Sequence, residues 1–392
     1  MRYVGIDVGS RTHMVAIVDA DCAIVLKPVA FGEDAAGYEK LFLLLGSAED
    51  TLIAMEATGH YHRNLFAAVT ARGFVVALLN PLRTHRFAEE DLQRGKTDRV
   101  DAVMLARFAA QKRPAPESRL DAGTVELREL VRLYERVTQD FGDRVRQLHR
   151  LVALCFPEFR QHVLGLDSQR ATAILASYPT AAALRDSSVA SVARLRYDGR
   201  HRVGPALARA LVDAARTSVA QHHGPAYEAG VRALCEDIDR LRGRMHGWAS
   251  DLEGRVAAHE VASLLTTIGG LGAMAAARIV AAVGDPARFR SASAFAAYVG
   301  VVPRDQRSGL HQPSRSPIGR LGHKRLRCAL YMTTLGAVRR NPWLRVYYER
   351  LRGAGKLPKV ALIAAERKLL VAVYAVAKRR QPFVPRVGSL NG

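Results

Sequence analysis

Short apolar runs separated by turn residues open the chain: YVGIDVG, HMVAIVDAD and CAIVLKPVAF. Their spacing predicts three strands in a meander. A helical segment over 34–46 follows, then the strand TLIAMEA, a helix over 61–72, the strand FVVALLN and a helix within RGKTDRVDAVMLARFAAQK at 94–112. Period-two alternation puts Tyr3, Gly5 and Asp7 on one face of the first strand and Val4, Ile6 and Val8 on the other. The Asp7 face is expected to be left open by Gly5 and Gly9. Three strands followed by alternating helix and strand is the order of an RNase H-like sheet.

From about 121 to 260 the period becomes helical throughout. Leu127, Leu130, Tyr134, Val137, Phe141, Val145 and Leu148 form one seam; Val231, Leu234, Ile238, Leu241, Met245, Trp248 and Leu252 form another. Each has heptad character, which suits either two antiparallel helices of one chain or a coiled coil between chains. Residues 158–227 between them read as a helical insert rich in Ala and Arg, to which no chemistry attaches. The last third opens with TTIGGLGAMAAARIVAAVGD. Its Gly270 and Gly272 suit a helix-hairpin-helix turn whose backbone N–H groups hold a phosphate, or an interhelical turn that binds nothing.

The expected organisation is therefore α/β followed by all-α. An RNase H-like domain occupies 1–117, a coiled-coil helix 118–157, the insert 158–227 and a second coiled-coil helix 228–259. A mostly helical C-terminal domain spans 260–380, with a flexible tail at 381–392.

Composition narrows the function. Of 392 residues, 58 are Lys or Arg and 37 are Asp or Glu, a formal net charge of +21 that calls for a polyanionic partner, nucleic acid before membrane surface. No apolar run is long enough to span a bilayer, and the chain enters a strand pattern directly, so an intracellular, nucleoid-associated protein is expected. Four scattered cysteines form neither a disulfide framework nor a zinc ribbon.

Four carboxylates carry the candidate chemistry. Asp98 and Asp101 share one face at the start of a predicted helix, where Asp98 would also serve as N-cap. Asp7 lies in the first strand and Glu56 ends the fourth. In an RNase H-like sheet those two are side by side, and the helix after the fifth strand brings Asp98 and Asp101 to the same rim. Four carboxylates there repel unless hard divalent cations neutralise them, and two such ions form a clamp for phosphodiester chemistry. Arg94, Lys96 and Arg99 would meet the incoming phosphate backbone.

GIDVGSRTHMVAIVD, AMEATGHYHRNL and NPLRTHRFAEEDLQRGKTDRVDAVMLARFA resemble the N-terminal domain of the DEDD transposases of the insertion-sequence family numbered one-ten. IGGLGAMAAARIVAAVGDPARFRSASAFAAYVGVVPRDQRSG with GRLGHKRLR resembles that family's C-terminal transposase domain. The resemblance implies a RuvC-like domain with Asp7, Glu56, Asp98 and Asp101 as ligands of one or two Mg2+ ions, for which Mn2+ could substitute. It also implies a serine nucleophile that joins covalently to DNA, best matched by Ser308 in RDQRSG. Donor and target DNA, a structured guide RNA and a homo-oligomer are the implied partners; no membrane is.

Ser308 makes chemical sense in its setting. A serine hydroxyl needs activation, and Arg304, Arg307, Arg315 and Arg320 would hold phosphate oxygens and stabilise charge on phosphorus. Lys324 and Arg325 extend the basic stretch, while Ser291, Ser293, Ser314, Ser316 and Tyr298 compete as nucleophiles. The alternative function is a RuvC-like endonuclease that cleaves branched DNA with metal-activated water and leaves Ser308 idle. An ATPase of the actin type would need a second phosphate loop that the sequence lacks, and a non-catalytic scaffold leaves the four acids unexplained.

Overall fold

The computed structural model describes residues 1–57, 59–90, 97–117, 120–302, 319 and 321–385. The chain divides into two compact units, Met1–Arg119 and Leu120–Gly392.

The first unit is built on strands β1 (Arg2–Asp7), β2 (Thr12–Val18), β3 (Ile24–Gly32), β4 (Thr51–Glu56) and β5 (Val75–Leu79). Their order is β3-β2-β1-β4-β5. The three-strand meander pairs antiparallel, while β4 and β5 join parallel to β1 and to each other. Helices α1 (Ala35–Leu45), α2 (His62–Ala71), α3 (Pro81–Glu90) and α4 (Asp98–Lys112) cover the sheet. Alternation along β1 sorts its side chains as the sequence predicts. Val4 and Ile6 join Leu41 and Leu45 of α1 and Leu65 and Val69 of α2; Tyr3 joins Phe87 of α3 and the buried face of α4. The result is three layers, helix–sheet–helix.

Three details depart from the sequence reading. The predicted step from β5 straight into the carboxylate-bearing helix is interrupted by α3, whose only buried residues are Thr84 and Phe87. Two buried positions in ten residues leave no apolar stripe for periodicity to detect. Asp98 is not the N-cap: Thr97 has the extended backbone, and its Oγ1 accepts from the Val100 amide at 3.3 Å. Threonine and aspartate both cap well, so the choice falls on whichever residue the incoming chain leaves extended. Nor is the Gly5 face open. A methyl group on Gly5 would lie 2.0 Å from the Ala102 carbonyl oxygen and 2.3 Å from the Ala106 amide nitrogen, so α4 lies backbone-to-backbone on β1.

The second unit begins with α5 (Ala122–Cys155), capped by Asp121, whose carboxylate accepts from the Thr124 amide at 2.8 Å. Short helices α6 (Phe159–His162), α7 (Gln169–Ser177), α8 (Ala181–Arg185), α9 (Val189–Arg194) and α10 (Pro205–Arg216) form the insert. Then come α11 (Pro225–Ala258), α12 (Glu260–Thr266), α13 (Ala273–Val283), α14 (Ala292–Val299), α15 (Lys324–Arg340), α16 (Pro342–Gly353) and α17 (Pro358–Arg379).

The two seams of heptad character meet within the chain. The end of α5 (Leu148, Leu151, Val152) packs with the start of α11 (Val231, Cys235, Ile238) and the insert. The start of α5 (Leu127, Val131) packs with the end of α11 (Leu252, Val256) and with α12–α17. The pair is therefore antiparallel, and Arg144 Nε reaches Asp237 Oδ2 across it at 3.2 Å. Between these two cores the seam is thinner: Tyr134, Phe141, Leu241, Met245 and Trp248 are only half-buried. All four cysteines are free thiols. Among the described residues no helix is long and apolar enough to cross a membrane.

Candidate active site

Register brings the first two carboxylates together. β1 and β4 run parallel with Gly5 opposite Ala54 and Ile6 opposite Met55, so the next step sets Asp7 beside Glu56 at the strand ends. Both belong to the face that α4 covers, because Tyr3 and Leu52, two steps earlier in alternation, are buried there.

Helix direction brings the other two to the same rim. The β1–β2 register pairs Tyr3 with Val18, so the β2–β3 turn lies at the start of β1. Gln111, near the end of α4, reaches Cys22 in that turn, with Nε2 to Sγ at 3.8 Å. The helix thus runs antiparallel to β1, and its first turn, holding Asp98 and Asp101, lies toward the Asp7 end. The anchor is Gly5, with Ala102 and Ala106 supplying the small surface opposite. Asp101 is half-buried and its amide bonds the Thr97 carbonyl at 2.9 Å; Asp98 and Arg99 are exposed.

Glu56 is held from below. The fully buried Thr84 of α3 donates its hydroxyl to Glu56 Oε1, and that hydroxyl also lies 3.0 Å from the Pro81 carbonyl. Sequence reasoning missed Thr84, since one threonine in a polar helix carries no pattern. It also missed a network on the other face of the sheet. His13, 1% exposed, meets Glu33 at 2.6 Å, and Glu33 further accepts from Tyr38 at 2.7 Å and Asn64 at 3.0 Å. Partial burial pushes the Glu33 carboxyl up, but these hydrogen bonds outweigh it and hold it below the usual glutamate range.

The donor set of Asp7, Glu56, Asp98 and Asp101 is all carboxylate oxygen, the chemistry that hard divalent cations select. Its geometry is not closed: among the described residues no three His, Cys, Asp or Glu side chains are gathered closely enough to hold a metal ion.

In the second unit, the turn between α12 and α13 holds the two predicted glycines. Gly270 has φ +88°, and a methyl group there would lie 2.6 Å from Ala337 of α15, so close packing alone requires glycine. Gly272 faces open space and starts α13 with no side-chain cap. Lys324 and Arg325 are exposed in the first turn of α15. Ser291 caps α14, accepting from the Ala294 amide at 3.1 Å, which gives it a structural task. Arg94, Lys96, Arg304, Arg307, Ser308, Ser314, Arg315, Ser316 and Arg320 lie outside the described residues.

A mixed sheet with Asp7 beside Glu56 at its strand ends precedes a helical unit, and matches to known families at both ends of the chain make it an enzyme that acts on DNA, a transposase. The DEDD-type transposase family of IS110 matches residues 4–157, and the family described as "Transposase IS116/IS110/IS902 family" matches 262–349. The chain belongs to the IS110 family of transposases. It is similar to a pilin gene-inverting protein of Moraxella bovis, 26% identical over 98% of both chains. It is also similar to an uncharacterised 44.8 kDa protein of insertion element IS116 from Streptomyces clavuligerus, 27% identical over 98% of this chain and 96% of that one. A mini-circle putative transposase for IS117 from Streptomyces coelicolor is 28% identical over 97% of this chain and 95% of its own length.

Proposed function

We propose that this transposase cuts and exchanges DNA strands through a divalent metal held by Asp7, Glu56, Asp98 and Asp101 and a covalent link between Ser308 and DNA. The observation that carries the metal half is the shared rim: β1 and β4 register sets Asp7 beside Glu56, and α4 starts there with Asp98 and Asp101. The β3-β2-β1-β4-β5 order supports reading the first unit as RNase H-like, of the RuvC kind. One or two Mg2+ ions, with Mn2+ as substitute, would neutralise phosphate charge and act as Lewis acid when bound.

The chain's own residues do the rest. Thr84 fixes the Glu56 carboxylate, and Gly5 fixes where α4 begins to cover the sheet. Arg99, exposed one residue from Asp98, meets the phosphate backbone as Lys96 does. Ser308 Oγ forms a bond to phosphorus as a backbone P–O bond breaks; the hydroxyl proton leaves and the departing DNA oxygen gains one. Arg304, Arg307, Arg315 and Arg320 stabilise the charge, with Lys324, Arg325 and the amides near Gly270 and Gly272 holding flanking phosphates. A structured RNA that pairs with donor and target DNA, and a homo-oligomer that holds two duplexes, complete the reading. The gene-inverting relative supports strand exchange over simple cleavage.

The test is strand transfer between labelled donor and target duplexes with the element's RNA, across a Mg2+ titration. Asp7→Asn, Glu56→Gln, Asp98→Asn and Asp101→Asn are each expected to abolish product while leaving DNA binding intact. Full activity in any two of them would overturn the metal assignment. The alternative, a branch-cutting endonuclease, is favoured if Ser308→Ala still cleaves a four-way junction at the wild-type rate.

A further inference from the structure

The insert carries a built basic surface. After α9 the stretch ARLRYDGRHRVG folds back on itself: the Val203 amide donates to the Leu195 carbonyl at 3.0 Å and the Tyr197 amide to the His201 carbonyl at 3.3 Å. These two bonds flank the antiparallel bridge between Arg196 and Arg202. That makes the two arginines a non-hydrogen-bonded pair, the kind that brings opposing side chains closest, and like charges so placed destabilise a hairpin.

The hairpin is nonetheless pinned to the insert core and two-faced. Val203 is buried in the insert core, with Leu195 and Tyr197 packed against it. Arg196 and Arg202, on the opposite face by alternation, are exposed, as are Arg194 at the end of α9 and Arg200 in the turn. Asp198 is committed to the turn itself: it accepts from the Arg200 and His201 amides at 3.0 and 2.7 Å and meets His201 Nδ1 at 2.6 Å. The bond from the His201 amide, then that from its ring, hold the Asp198 carboxyl down at about 2. Gly199 supplies the positive φ, +76°, that the turn requires. Arg196 donates to the Gly199 carbonyl at 3.0 Å, yet among the described residues none of the four guanidiniums has a carboxylate within ion-pair distance. Elsewhere in this unit exposed arginines do pair, as Arg232 with Glu228 and Arg255 with Glu126. The Tyr197 ring is half-buried against the insert core and stacked on His201 at 6.0 Å, so it does not stand out as a platform for a base.

We propose that this hairpin is a DNA-docking surface, in which Arg196, Arg200 and Arg202 grip the phosphate backbone of a duplex away from the reacting strands. A tip of forked donors without carboxylate partners, whose tyrosine is packed onto the core, fits duplex phosphates rather than unstacked bases. The contact is independent of sequence and serves to hold substrate DNA, a role that does not depend on the strand chemistry proposed above.

The test compares the wild-type full chain with Arg196→Gln/Arg200→Gln/Arg202→Gln in fluorescence-anisotropy titrations of a random-sequence DNA duplex, in EDTA, between 50 and 200 mM salt. Losing three phosphate contacts removes about 2.7 from the log–log salt slope, so the wild type should lose about 40-fold more affinity than the variant over that range. The matching triple Lys variant should keep the slope. The Gln variant should melt no lower than wild type, because it relieves the Arg196–Arg202 repulsion, so a lost slope is not a lost fold. An unchanged slope overturns the proposal. So does a change seen only with duplex RNA in a parallel titration. Because binding is read without divalent metal, failure here leaves the catalytic proposal standing, and failure there leaves this one.

Discussion

Thr84 and Glu366 are the two side chains whose surroundings dictate most about them. Thr84 gives the buried hydroxyl that steadies Glu56. Replacing it with valine keeps the volume and removes the donor, so strand transfer should fall about 10- to 100-fold, as losses in the support of metal ligands do. Thermal stability should move little by comparison; wild-type rates in Thr84→Val would contradict the role. Glu366 lies fully buried in α17, and neither of its carboxyl oxygens has a hydrogen-bond partner among the described residues. Burial pushes its carboxyl up to about 7, against a smaller opposing pull from Arg327. A raised carboxylate contributes its stability below the ordinary glutamate range and loses it as the pH climbs through about 7. Glu366→Gln should therefore flatten the fall in stability between pH 5 and 8 and exceed wild type at pH 8 by on the order of 3 kcal/mol in denaturant melts. A parallel fall in both proteins would contradict it. Neither residue was legible in the sequence, where a lone threonine and a glutamate at helical spacing look like solvated surface. The places of Asp7, Glu56, Asp98 and Asp101 at the ends of patterned elements were legible, because alternation and helical spacing fix them.

At the scale of elements, the strands declared themselves through alternation and the long helices through their seams. What periodicity could not supply was the partner. The same heptad character fits a contact within the chain or between chains, and α5 and α11 use it on each other. Ile238→Ala in that seam should destabilise the second unit by about 2–5 kcal/mol, read as a lower melting temperature, whereas an unchanged melt would mean that the α5–α11 contact contributes little. Helix α3 escaped notice because only two of its residues are buried, and the start of α4 was misjudged by one residue because threonine and aspartate compete for the cap. Gly5 was read as leaving space; it is instead where a helix backbone fills it. Adding one methyl there, as Gly5→Ala, forces α4 off β1. It should cost about 3 kcal/mol or more and abolish strand transfer even though no carboxylate is touched. A variant with normal melting and normal activity would contradict the close approach.

Across the whole molecule, 58 Lys and Arg residues against 37 Asp and Glu give a net charge of +21. Charge announced a nucleic-acid partner from composition alone, and family membership makes that partner DNA. The proposed function has carboxylates of Met1–Arg119 and Ser308 of Leu120–Gly392 serving one reaction. The most direct measurement mixes the protein, labelled donor and target DNA, the element's RNA and Mg2+, then resolves the products on a denaturing gel with and without protease. The slow band is excised for peptide mass spectrometry. The expected product is a protease-sensitive protein–DNA species with the nucleotide remnant on Ser308, absent from Ser308→Ala, from Asp98→Asn and from reactions with EDTA. Cleaved DNA with free ends and no such adduct, from wild type and Ser308→Ala alike, would contradict it.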